Sequence, residues 1–377
     1  MNRRKAGDVI VVFPQDCVML TDSVGERIGD TLKIAVRVDA PDDKKLTVNG
    51  IPLENKSFGL FKADVILDKY ENILEFVDET TGEKQVMTVY YLKNGYKKYR
   101  ISLDDIIWLF QNLTENKDKY QSMFEDPYMT WLKTIHEEFG TKFHLNIYYE
   151  TDRHGGFNLS QMTDKYKDEW IANSDWLRLS FHANADKPNR PYANVSYEQM
   201  YFECERVDRE IRRFAGEQAH ANTVTTIHFG EVSLEGTRAL RDLGYKAFVG
   251  DYNWMVRKGC DIRMCCNLEQ CVKIQQYGFL YDKELDVYYF NYNGETDVQH
   301  IKDTTKIGPM FDEKLGGKAN YHFKDICLHE QYFHPEFYMH QPDYYEKMRE
   351  SCTWFRNNGY ESVFMDDLFE FYTHEKK

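Results

Sequence analysis

Apolar and polar residues alternate one by one through much of the first 95 positions. Leu32-Lys33-Ile34-Ala35-Val36-Arg37-Val38-Asp39 makes every second side chain apolar, the period of a half-buried strand. Leu46 to Leu53 contains Asn49-Gly50, a pair that favours a tight hairpin turn. Leu60 to Leu67, Asn72 to Val77 and Gln85 to Tyr91 repeat the pattern, with Thr80-Thr81-Gly82-Glu83 as a turn before the last. Short strands at this spacing predict a small β-sandwich over residues 1–95.

From about Lys98 strand-like runs alternate with helical ones, which predicts α/β architecture over residues 96–377. Tyr128 to Phe139 repeats apolar residues at helical spacing and stops at Gly140; Phe143 to Tyr149 is then a buried-strand run. Ser196-Tyr197-Glu198-Gln199 has the form of a capping box. Its helix sets Met200, Cys204, Val207, Ile211 and Phe214 on one face before Gly216. Val224 to His228 and Lys246 to Val249 are strands flanking a helix from Ser233 to Leu243. A last helix opens at Pro342 and closes at Gly359, with a final strand from Ser362 to Met365.

Three strand-like runs end in ligand or acid/base residue types. Ile101-Ser102-Leu103 leads into Asp104-Asp105, Trp176 to Leu179 into Ser180-Phe181-His182 with Asp186 and Pro188 beyond, and Ile326-Cys327-Leu328 into His329-Glu330. Strand ends are where barrels and open α/β sheets place their chemistry. Each has a bland reading as well. Paired aspartates after a strand can cap the next helix, a lone histidine such as His228 is often a hydrogen-bonded core residue, and His182-x3-Asp186 arises readily by chance. Three such ends in one chain outweigh those readings taken singly.

Composition narrows the partners. The 377 residues are 42% apolar and 29% charged, as in an ordinary globular protein. Lys plus Arg is 48 against 62 Asp plus Glu, a net charge of −14, which disfavours nucleic acid because phosphate contacts need a basic face. Aromatic residues make up 15%, a density that suits sugar stacking and core packing alike. No stretch approaches the ~18 apolar residues of a membrane span, and Val9 to Phe13 is too short for a secretory apolar segment, so the expected location is cytoplasmic. Cys17, Cys204, Cys327 and Cys352 read as reduced core thiols. Cys260, Cys265, Cys266 and Cys271 lack the spacing of a zinc knuckle.

Order and context along residues 98–377 resemble the polysaccharide deacetylase, or NodB-homology, superfamily of glycoside hydrolase/deacetylase barrels. Leu103-Asp104-Asp105 is similar to its T-F-D-D strand end, Ser180-Phe181-His182 through Asp186 to its H-x-x-x-H motif, and Leu328-His329-Glu330 to its closing L-H-D. The resemblance implies a distorted (β/α)7 barrel of NodB-homology type preceded by the small β-sandwich. It implies Asp104 as general base and His329 as general acid, with Asp105, His182 and Asp186 binding a divalent metal. That metal would be zinc, with manganese, iron or magnesium also admitted by the extra oxygen donor. Asp186 stands where the family has a second histidine, His228 where it has an arginine, and Glu330 where it has an aspartate. His228 is left open between a fourth ligand and a substrate contact, and Asp251 between a support for His329 and other roles. Trp254, Arg190 and Tyr192 are candidates for a sugar-stacking rim or for loop packing, and His154-Gly155-Gly156 for a lid. The Thr47-Val48-Asn49-Gly50 hairpin and Glu71 to Phe76 are similar to immunoglobulin-like modules found beside glycan-active enzymes.

The implied activity is removal of an acyl group, N-acetyl first, from a carbohydrate or related amide. Two alternatives stand beside it: a glycoside hydrolase using Asp104 and Asp251, and a carbohydrate-binding protein without turnover. No residue pattern decides whether the sandwich docks on the barrel or mediates a homo-oligomer.

Overall fold

The computed structural model describes residues 5, 7–252, 264–291, 298–315 and 323–369. The first ten strands form two five-stranded sheets. In the first, Thr31–Asp39 pairs antiparallel with Leu60–Leu67, and each inward pair is apolar: Leu32 with Leu67, Ile34 with Val65, Val36 with Ala63, Val38 with Phe61. A slip of one residue would turn one strand's four apolar side chains outward, so the alternation itself fixes the register. Leu46, Val48, Leu74, Phe76, Met87 and Val89 of the second sheet pack against them in one core. Each such side chain contributes about 1.5–3 kcal/mol when fully buried.

The following residues build two further sheets. Lys98–Ile106 lies at the centre of the first, parallel to Phe143–Tyr148 on one side and Phe323–His329 on the other, with Leu177–Ala183 beyond Phe143–Tyr148. Its strands are buried on both faces, as parallel strands usually are, yet the two faces differ. Ile101, Leu103, Leu145, Ile147, Leu179, Phe181, Ile326 and Leu328 pack in the large core shared with the helices. The alternate positions are polar: Arg100, Ser102 and Asp104; His144 and Asn146; Ser180 and His182; Asp325, Cys327 and His329. Burying the first set brings the second to the inner face.

The helices follow their caps. Ser196 accepts a hydrogen bond from Gln199 N, and the helix Tyr197–Phe214 buries Met200, Cys204, Val207, Ile211 and Phe214 as its spacing predicts. Asp126 caps Pro127–Phe139, which Gly140 ends in the left-handed region at φ +67°.

The second sheet runs Val224–Thr225, Ala247–Gly250, Val287–Asn291, then antiparallel Phe279–Asp282 at the edge. That edge strand corrects the expectation of one closed (β/α)7 barrel. Phe279–Asp282 occupies the side of Val287–Asn291 that closure would give to Phe323–His329, and among the described residues no ladder joins those two strands. At the other seam Val224–Thr225 is two residues long, because the chain turns at His228–Gly230 with Phe229 at φ +61°. There the sheets meet through one parallel bridge, Leu179 to His220, and the bond from Ala221 N to Leu179 O at 2.7 Å. Among the described residues the fold is mixed α/β with a parallel sheet, and no closed barrel forms. The expected final strand is also shorter: Glu361–Ser362 is a strand, and Met365–Leu368 is a 3-10 turn.

Candidate active site

Adjacent residues on a regular strand point to opposite faces. Asp104 and Asp105 escape this because the register slips between Leu103 and Ile106 and Asp105 takes φ +65°. Both carboxylates therefore line one cleft of about 1300 Å³ with His182, His228, Cys327 and His329. A non-glycine residue held in the left-handed region carries strain that its surroundings must offset. Here Tyr148 donates a hydrogen bond to Asp105 Oδ1. The helix that follows is held by Glu330, whose Oε2 accepts from Ile107 N at 2.8 Å and Trp108 N at 2.9 Å, and whose Oε1 accepts from Leu109 N at 2.5 Å. The paired aspartates are thus free of the capping role that their position also suggested.

Asp105, His182 and His228 converge from three strand ends. His182 Nε2 lies 3.1 Å and His228 Nδ1 3.4 Å from Asp105 Oδ1, and the two ring nitrogens are 3.2 Å apart. His182 Nδ1 donates to Thr226 O, which leaves its Nε2 lone pair facing the other two atoms. Burial alone would raise the Asp105 carboxyl, but His329, His182 and His228 hold it well below the usual carboxylate range. Burial and the Asp105 charge push the Tyr148 phenol well up, so it stays a donor.

Asp104 and His329 face each other across neighbouring strands as a register pair. Asp104 Oδ1 accepts from Ser102 Oγ at 2.7 Å and Asn146 Nδ2 at 2.6 Å; Oδ2 accepts from the Cys327 thiol at 3.0 Å. Behind Asn146 a chain of donors runs inward: Ser180 Oγ donates to Asn146 Oδ1 at 2.8 Å, His144 Nε2 to Ser180 Oγ at 2.7 Å, and Arg100 to His144 Nδ1 at 3.0 Å. Burial and Arg100 press the His144 imidazole well below its usual range, which keeps it neutral. Arg100 is paired with Asp325 at 2.8 Å, both fully buried. Gln299 Oε1 accepts from His329 Nδ1 at 2.8 Å and from His329 N at 3.3 Å, leaving Nε2 toward the cleft.

The remaining sequence candidates lie as follows. Asp186 is exposed, pairs with Lys187 at 3.3 Å, and its carboxylate is 4.0 Å from His228 Nε2; its carbonyl oxygen accepts from that nitrogen at 3.3 Å. It is not part of the described Asp105, His182 and His228 group. Asp251 lines the cleft. Arg190 reaches Glu231 at 2.5 Å, and Tyr192 is fully buried with its hydroxyl between Glu203 and Asn184 N, each at 2.8 Å. Neither lines the cleft. Glu330 is turned to the amides of Ile107, Trp108 and Leu109 and to His334, 3.4 Å away. Trp254 falls outside the described residues. Gly155 and Gly156 line the cleft in the turn of a small hairpin between Glu150–Thr151 and Phe157–Asn158.

Sequence reading missed Tyr148, Asn146, Gln299 and Cys327 as parts of the site. The signal for the first two was the alternation His144, Asn146, Tyr148 against Leu145 and Ile147, which marks a strand with a polar inner face. Nothing local marks Gln299.

No family model matches the chain, and no curated protein matches it. Solved structures do. The Bc1960 peptidoglycan N-acetylglucosamine deacetylase is 11% identical over 73% of this chain and 89% of its own, with a TM-score of 0.41. A putative polysaccharide deacetylase from Mycobacterium smegmatis is 8% identical over 75% and 92%, with a TM-score of 0.45. The 4-alpha-glucanotransferase from Thermococcus litoralis is 11% identical over 74% of this chain, which spans 41% of that enzyme, with a TM-score of 0.44. All three TM-scores lie below one half.

Proposed function

We propose that the chain is a metal-dependent hydrolase that removes an acyl group, N-acetyl first, from a carbohydrate or a related amide. The observation that carries this reading is the triangle of Asp105 Oδ1, His182 Nε2 and His228 Nδ1, with sides of 3.1, 3.4 and 3.2 Å. Ligands about 2.0–2.1 Å from a tetrahedral zinc sit about 3.3 Å from one another; octahedral donors at that distance would be closer, about 2.9–3.0 Å apart. One carboxylate and two imidazoles are donors that zinc accepts, and three protein ligands leave a position open for chemistry. His228 takes the place that sequence gave to Asp186, and Asp186 holds the far nitrogen of its ring.

A zinc ion in such a site supplies an activated water and polarises the carbonyl of the bond to be cleaved. The chain's own residues do the rest. Asp104 Oδ2 has a lone pair left beside Cys327 and takes the proton from water, while Ser102 and Asn146 fix its orientation. His329, turned by Gln299, presents Nε2 to protonate the leaving nitrogen. Phe229 and Tyr338, both exposed beside the cleft, offer faces to a sugar ring.

The test is the metal content of protein purified without chelator, beside His228→Ala, His182→Ala and Asp186→Ala, with acetate release from N-acetylated oligosaccharides measured on each. Stoichiometric metal that is lost in both histidine variants and kept in Asp186→Ala is expected. A wild type that binds neither zinc nor manganese nor iron on titration overturns the reading.

A further inference from the structure

Asp104, Cys327 and His329 form a second group of ligand types, and their donor atoms lie within 4.8 Å of one another. They come from two paired strands, with Cys327 and His329 two residues apart on one face and Asp104 opposite His329. All three line the cleft. Beside the hydrogen bonds it makes, each side chain keeps a lone pair, on Asp104 Oδ2, Cys327 Sγ and His329 Nε2. Ser102 and Asn146 occupy Asp104 Oδ1, the Cys327 thiol donates to Asp104 Oδ2 at 3.0 Å, and Gln299 occupies His329 Nδ1 and leaves Nε2.

We propose that Asp104, Cys327 and His329 form a second cation site, selective for thiophilic divalent ions such as zinc and cadmium. A thiolate in the set favours soft ions over magnesium or manganese. Binding releases one proton, that of the Cys327 thiol, to solvent as the sulfur takes the cation in place of the Asp104 hydrogen bond. Tetrahedral ligands on zinc at about 2.3 Å for sulfur and 2.0–2.1 Å for oxygen stand about 3.5 Å apart, so the Cys327 to Asp104 contact opens by roughly half an ångström as the cation enters. A cation there engages the base and the acid together, so excess zinc switches the enzyme off. That consequence rests on the hydrolase reading; the binding does not.

The experiment titrates the full chain, stripped of metal by chelator, with cadmium chloride and follows the ultraviolet thiolate-to-cadmium charge-transfer band. Wild type takes two equivalents, one of them with the band. Cys327→Ser takes one equivalent and shows no band; His329→Ala, changed at a part-exposed residue, weakens the banded equivalent and guards against misfolding of the cysteine variant. His228→Ala retains the band while losing the other equivalent. No band in wild type, or an equal band in Cys327→Ser, overturns the proposal. In a parallel assay, acetate release falls as zinc rises beyond the first equivalent. A protein with the band but no turnover at any zinc level leaves the cation site standing and sinks the hydrolase reading; turnover without the band does the reverse.

Discussion

Replacing Glu330 by glutamine separates two roles for this residue, a support for the histidine beside it and a cap for the helix behind the paired aspartates. In the structure its two oxygens accept from three consecutive amides, Ile107, Trp108 and Leu109, and the side chain is completely buried. A glutamine oxygen can keep the bonds to Ile107 and Trp108, but its amide nitrogen then faces Leu109 N–H, donor against donor. Losing one buried hydrogen bond to a charged group costs about 1.5–3 kcal/mol, and losing the negative charge at a helix N-terminus adds about 0.3–1 kcal/mol. The sum is about 2–4 kcal/mol. If residues 96–377 melt together, roughly 280 residues unfold with an entropy of about 0.6 kcal/mol/K, so a cost of about 3 kcal/mol lowers the midpoint by about 5 °C. A calorimetric or circular dichroism melt reads this directly, and Glu330→Ala, which strands all three amides, falls further. A Glu330→Gln protein that melts within about 1 °C of wild type while its pH–rate profile shifts would refute the capping argument and return Glu330 to the service of His329.

Other perturbations test the site and its supports. Tyr148→Phe removes the hydroxyl that donates to Asp105 and is expected to weaken metal binding about 10–100-fold, the usual effect of losing a partner that orients a ligand; chelator competition measures it, and unchanged affinity contradicts it. Arg100→Met leaves Asp325 buried without its ion pair and should cost about 3–5 kcal/mol in urea unfolding; a neutral result would mean that Asp325 is protonated in the folded protein. In the sandwich, burial would raise the Asp78 carboxyl, but Lys44, Thr80 and Thr81 bring it down to about 2. A depressed carboxylate stabilises the fold above its unfolded pKa, near 3.8, and loses that contribution as pH falls toward about 2. Asp78→Asn should therefore cost about 2 kcal/mol at neutral pH, and the gap from wild type should shrink between about pH 4 and pH 2; a gap that is constant with pH would refute the assignment.

Local pattern carried the elements well where one face meets a core. Leu32, Ile34, Val36 and Val38 alternate in sequence and are all buried, and the apolar row from Met200 to Phe214 is the buried face of its helix. Strand ends were legible for the same reason, which is how Asp104, Asp105, His182 and His329 come into one cleft. What escaped depends on distant partners or on the backbone. Asp105 reaches its neighbour's side only because its φ is positive, a property that sequence does not mark in an aspartate. Cys327 reads as a core thiol and proves to be a partner of Asp104 from 223 residues away. The barrel that the family resemblance implied does not close among the described residues, where a four-residue strand, Phe279–Asp282, takes an edge by pairing antiparallel. His228 and Asp186 are both ligand types on paper; His228, at the turn His228–Gly230, is buried beside Asp105 and His182, while Asp186 is exposed at the cleft.

The seam between the two sheets gives the proposed ligand triangle a mechanical meaning. Asp105 and His182 belong to one sheet, His228 follows a strand of the other, and among the described residues the main-chain ladder between the sheets is a single bridge, Leu179 to His220. An ion held by all three is a rivet through that joint, closing a loop of more than a hundred residues between Asp105 and His228 without any covalent bond. Stripping it out should leave each sheet intact and let the joint gape: the amides of Ala221 and Thr226 would exchange with deuterium sooner, while those of Leu145 and Leu103 kept their protection.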